Sequence, residues 1–95
     1  MTTNVIITFT AKPEKLAAFT DILQSVKTEL PKVDGCIAVD VFNDTANPCV
    51  FTLVETWQSE SAHKAHIEGV VSSGGWSHIA SHLACDPSSS YFKAL

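Results

Sequence analysis

Glu55, Trp57, His63 and His66 are the residues of this chain best suited to chemistry, and they fall in one continuous stretch, Cys49 to His66. An imidazole titrates near neutral pH, so His66 is the candidate general base, able to take a proton from a phenol-like hydroxyl. His63 lies three positions before it, which on a helix puts both rings on one face, with His63 toward solvent or the rim of a pocket. Glu55 interrupts an otherwise apolar run. A buried carboxylate is costly unless it is paired or protonated. Glu55 therefore reads either as a structural group at a sheet edge or dimer seam, or as a base of raised pKa. Trp57 reads as a core anchor, a role compatible with forming a flat wall for an aromatic ligand.

The stretch that carries these residues predicts a strand running into a helix with almost no loop. Cys49 to Trp57 is β-branched, aromatic or aliphatic apart from Glu55, as a mostly buried strand requires. Gln58-Ser59 stops it. Ser59 or Ser61 can cap the helix that follows, and Glu60 suits its positive end.

Other elements must hold this corner in place. Residues 4–10 predict a first strand, with Val5, Ile7 and Phe9 on one face. Lys12-Pro13 opens a helix to about Leu30, with Leu16, Phe19, Leu23, Val26 and Leu30 as its apolar stripe. Pro31 ends it and Gly35 serves a turn. Cys36 to Phe42 is a second strand, with Ile37, Val39 and Val41 on one face and Ala38 and Phe42 on the other. Asn43 to Pro48 turns it into the Cys49–Trp57 strand, so the two form a hairpin. Gly69 to Gly75 is a flexible break, and the Ser72 to Gly75 loop within it can serve as a lid. Trp76 to Ala84 predicts another helix, with Trp76, Ile79, Ala80 and Leu83 on one face and His78 and His82 on a different one. Asp86 to Ser90 reads as a turn and Tyr91 to Leu95 as a closing strand. The order β-α-β-β-α-(α)-β is the ferredoxin-like α+β arrangement, in one domain over residues 1–95.

Composition narrows the function classes. Only 17% of the 95 residues are charged, against about a quarter in average proteins, while 45% are hydrophobic. Both faces of the hairpin are apolar, and one face of a surface sheet is normally polar. The second face is expected to be covered by another copy of the chain, giving a homodimer through the sheet face. Six Lys plus Arg and a net charge of −4 exclude a basic nucleic-acid footprint. No apolar run reaches the roughly 18 residues of a membrane span, and no signal peptide is visible. Cys36, Cys49 and Cys85 form no CxxC pair, which fits a reduced, cytoplasmic compartment. His63-x-x-His66 and His78-x-x-x-His82 have usable helical spacings, with Glu68 or Asp86 as added oxygens, but no segment supplies a full ligand set. No metal and no cofactor are expected.

Val33-Asp-Gly-Cys36, Val39-Asp-Val-Phe42, Asn47-Pro48, the run Phe51 to Glu60 with Glu55-Thr-Trp57, then Ala62 and His66 together resemble the antibiotic biosynthesis monooxygenase family. The resemblance implies a dimeric α+β barrel, with Glu55 and Trp57 matching the family's Glu-x-Trp and His66 its helix histidine. Leu53 stands where the polyketide-tailoring oxygenases carry Asn, and His63 where they carry Tyr. Relatives include cofactor-free quinol or anthrone oxygenases, haem-degrading enzymes and an isomerase. In the haem-degrading branch the iron-binding histidine lies in the region of His78 and His82.

The expected function is cofactor-free oxidation of a small quinol- or anthrone-like aromatic by O2. His66 is the base, Trp57 the stacking wall and Glu55 a polar orienter. His63, Trp76, Leu53 and Phe51 are expected to line the pocket. The alternatives are a non-catalytic dimeric module that binds a small molecule, and a haem-type or isomerase-type relative.

Overall fold

The computed structural model describes residues 2–95. Four antiparallel strands, β1 (Thr3–Thr10), β2 (Cys36–Asn43), β3 (Val50–Trp57) and β4 (Ser88–Phe92), form one sheet in the order β2-β3-β1-β4. Three helices, α1 (Leu16–Glu29), α2 (Glu60–Ser72) and α3 (Gly75–Ala80), complete the ferredoxin-like α+β fold. Among the described residues no helix is long and apolar enough to cross a membrane.

The inner face of the sheet follows from the period-2 pattern. Val5, Ile7 and Phe9 pair with Glu55, Leu53 and Phe51 across β1 and β3. Phe19 of α1 is fully buried over this face, edge-to-face with both Phe9 and Phe51 at centroid distances of 5.6 Å. A second cluster gathers Val5, Leu30 and Trp57.

Several boundaries differ from the sequence expectation, each for a local reason. The helix expected from Lys12-Pro13 to Leu30 is α1 flanked by two 3-10 turns, Pro13–Lys15 and Leu30–Lys32. Each turn holds a proline near its start, where a missing N–H is tolerated. Cys49 precedes β3 rather than opening it; its carbonyl accepts from the Ala11 N–H at 2.8 Å. Ile37 does not share a face with Val39 and Val41. A register shift between Cys36 and Ala38 puts Cys36 opposite Trp57 and Val39 opposite Glu55, and leaves Ile37 half exposed.

The break expected at Gly69 begins later. α2 runs through Gly69 to Ser72, and the turn is made at Gly74, whose φ is +83°. One glycine in an exposed helix costs only about 1 kcal/mol against alanine, whereas a positive φ is what glycine alone adopts freely. The helix expected to Ala84 stops at Ala80. The chain beyond it is drawn onto the sheet: Lys12 N–H donates to the His82 carbonyl and Ala84 N–H to that of Thr10, both at 2.8 Å. The serines expected to form a turn instead belong to β4, Ser88 pairing with Thr8 and Ser90 with Ile6. Here the open edge of β1 outweighs the weak strand preference of serine.

Candidate functional site

A cavity of about 370 Å³ lies between the inner face of the sheet and the helices. Ile7, Phe9 and Leu53 form its floor. Val26 of α1, Leu30 of the 3-10 turn that follows it, Ile67 and Val70 of α2, and Trp76 and Ile79 of α3 wall it. Its few polar side chains are Glu55, His63, His66 and Ser89. This is the common form of a small-molecule site, apolar with a few directed polar groups.

The polar groups are positioned by the strand–helix corner that the sequence singles out. Ser59 caps α2, its hydroxyl accepting from the Ala62 N–H at 3.1 Å. The helix then runs back over the sheet and carries His63 and His66 above Trp57. Both imidazole centroids lie 5.3 Å from the indole. Gly35 makes this approach close: its φ is +89°, and a β-carbon there would lie 2.7 Å from that of Ala62 and 3.7 Å from the Trp57 ring.

Glu55 is buried, and its Oε1 accepts a 2.8 Å hydrogen bond from the Trp57 indole N–H. Burial pushes its pKa above the ordinary carboxylate value, and the indole bond partly opposes that rise. His63 Nε2 stands 4.0 Å from the same oxygen, beyond hydrogen-bond length. His63 Nδ1 is 2.8 Å from the Tyr91 hydroxyl. Burial and the neighbouring His66 hold the His63 pKa below its ordinary value, and burial alone does so for His66. Both rings are therefore neutral near neutral pH. Tyr91 is shifted upward by burial and by the nearby Glu60 and Glu55.

The structure gathers Glu55, His63, His66, Leu53 and Trp76 around the cavity, but not Phe51 or Trp57. Trp57 has no exposed surface; it packs behind Glu55 in the core and is not a stacking wall. Phe51 faces the Phe19 cluster and a separate groove of about 260 Å³ between α1 and the β2–β3 hairpin. His63 is only 8% exposed rather than solvent-facing, because α2 lies directly on the corner. His78 and His82 stand apart from the cavity. His82 is buried beside Phe19, and its Nδ1 lies 2.8 Å from the His78 carbonyl oxygen, which can only accept, so that nitrogen carries a proton. Among the described residues, no group of three or more His, Cys, Asp and Glu is placed to hold a metal ion. Tyr91 and Ser89 are the site residues that sequence reasoning misses. Ferredoxin-like order, which sets β4 beside β1, is the signal that points to them.

The family model for antibiotic biosynthesis monooxygenase matches residues 2–69. The chain belongs to the antibiotic biosynthesis monooxygenase family. The solved structures similar to this family member agree in fold. A conserved protein from Methanosarcina mazei Go1 is 24% identical, with a TM-score of 0.84 over 98% of this chain and 92% of its own. A crystal structure described as an antibiotic biosynthesis monooxygenase is 22% identical, with a TM-score of 0.86 over 98% of each chain. Rv0793 from Mycobacterium tuberculosis is 19% identical, with a TM-score of 0.85 over 100% of this chain and 96% of its own. No curated protein matches the chain.

Proposed function

We propose that this protein is a cofactor-independent monooxygenase that oxidises a small quinol- or anthrone-like aromatic with O2, with His66 as general base. The observation that carries this reading is the apolar cavity of about 370 Å³ with two imidazoles and a carboxyl group among its few polar side chains. Such a cavity holds a flat aromatic and excludes water from it. His66 supports the role of base because burial keeps its imidazole neutral, and no hydrogen bond contributes to that shift. It takes the proton of a phenolic or enolic hydroxyl. The resulting anion is electron-rich enough to reduce O2 directly. For an anthrone-type methylene, one oxygen atom ends on carbon as a carbonyl and the other leaves as water with the two methylene hydrogens, so the substrate supplies all four electrons that O2 takes up. The floor at Leu53 and the walls at Val26 and Trp76 position the ring, and Glu55, held by the Trp57 N–H, serves as polar orienter at the cavity.

The reading includes a homodimer through the outer sheet face, where Phe42 and Phe92 are exposed. A non-catalytic binding module is the second reading. It is favoured by Glu55 and His63 already holding partners within the protein, Trp57 and Tyr91.

The test is oxygen consumption with a panel of quinols and anthrones after metal stripping, wild type beside His66→Ala. The expected result is uptake that survives stripping and falls by about 10²–10⁴-fold in the variant. Uptake no higher than the autoxidation blank on every panel member moves the assignment to the binding module. Uptake unchanged in a folded His66→Ala removes His66 as the base.

A further inference from the structure

One cross-strand row of the sheet places Glu55 of β3 and Tyr91 of β4 on either side of Val5. Adjacent strands lie about 4.8 Å apart, so the backbones of Glu55 and Tyr91 are separated by about twice that distance. His63 bridges the row from α2, with Nδ1 2.8 Å from the Tyr91 oxygen and Nε2 4.0 Å from Glu55 Oε1. A neutral imidazole carries one ring proton, and the nitrogen that holds it decides whether the ring donates or accepts on each side. Two effects act in the same direction here. A phenol O–H is a better donor than an imidazole N–H, and an imidazole nitrogen is a better acceptor than a phenol oxygen, so the short contact is best made as O–H to Nδ1. The carboxyl group beside Nε2 also favours a proton on that nitrogen.

We propose that Tyr91 is a positioning residue: its hydroxyl donates to His63 Nδ1, fixes the His63 proton on Nε2, and makes His63 a hydrogen-bond donor on the cavity side. Its catalytic meaning rests on the oxygenase reading above. There the two imidazoles are complementary. His66 accepts the proton of the substrate hydroxyl, and His63 donates to the oxygen left charged, stabilising it where water is excluded. The substrate class narrows to aromatics whose reactive hydroxyl reaches the Glu55 side of the cavity while the remainder is apolar.

Long-range nitrogen–proton NMR on histidine-labelled protein reads the tautomer of each imidazole, and His63 is assigned by its absence in His63→Gln. The expected wild-type result is His63 protonated on Nε2. In Tyr91→Phe the ratio of the Nε2–H to the Nδ1–H form falls roughly fivefold, the weight of one ordinary hydrogen bond. A wild-type His63 protonated on Nδ1, or a ratio unchanged in Tyr91→Phe, overturns the proposal. Should that variant fail to fold, the single tyrosine of the chain is replaced biosynthetically by a ring-fluorinated tyrosine. Its more acidic phenol donates more strongly and shifts the His63 Nδ1 signal; a signal that does not move refutes the role. These readouts need no turnover. Failure of oxygen uptake therefore removes the oxygenase reading, while the spectra alone decide the tautomer.

Discussion

Glu55 is a carboxyl group 6% exposed, and its consequence is a pH dependence of stability with a definite sign. Its folded pKa lies above the ordinary 4.5. Between that value and its own pKa the folded protein holds a proton that the unfolded chain has lost, so stability falls as pH rises through this window. Glu55→Gln keeps a carbonyl oxygen for the Trp57 N–H and removes the ionisation. Its urea midpoint is expected to match wild type below about pH 4.5 and to exceed it increasingly at higher pH. Parallel midpoint–pH curves for the two proteins would sink this account. The histidines act in the opposite sense. Their folded pKa values lie below the ordinary 6.5, so the unfolded chain takes up protons first and stability falls as pH drops through that value. The chemical types of Glu55, His63 and His66 are plain in the sequence. Whether each is buried, and what each touches, is not.

Among the elements, the docking of α2 on the β2–β3 hairpin decides the site. Gly35 and the Ser59 cap are both readable from sequence as turn and cap signals, but the 2.7 Å approach to Ala62 is not. Gly35→Ala combines a left-handed backbone penalty with overpacking against α2. It is expected to cost about 3 kcal/mol in denaturant unfolding and to lower ligand affinity, because His63 and His66 move with α2. A loss under about 0.5 kcal/mol, the range of a neutral surface change, would show that α2 is free to shift. Ile37 and β4 show the limits of pattern at this scale. A one-residue bulge at Ile37 breaks the alternation at the start of β2, so that Cys36 and Val39 face the same side and Ile37 is left half exposed. The serines of β4 pair with β1 because an open sheet edge accepts any backbone, whatever the side chains prefer.

For the whole molecule, the outer sheet face is the feature left over. Ile6, Val50 and Val54 lie on it beside Thr8, Thr52 and Thr56, with Phe42 56% and Phe92 48% exposed toward the edges. Among the described residues, the helices pack on the opposite face of the sheet. An apolar face of this kind is expected to be closed by a second copy. Light scattering is expected to give the dimer mass at micromolar protein. Val54→Lys, at the centre of that face, is expected to give a folded monomer with unchanged far-ultraviolet circular dichroism. A wild-type monomer at the same concentration would contradict the homodimer.

The sequence by itself determined the order of elements, the inner face of β1 and β3, a serine cap at the start of α2, with Ser59 and Ser61 both open, and the stretch in which the chemistry is concentrated. These follow from local periodicity and capping, which need no knowledge of distant residues. Tertiary structure alone decided that Trp57 is walled into the core, that His63 is buried, that Phe51 faces away from the cavity, and that Tyr91 reaches His63. Each of these depends on which segments meet across the sheet. The row joining Glu55, Val5 and Tyr91 is a matter of register between strands far apart in the chain, and register is fixed by packing and pairing rather than by any residue alone.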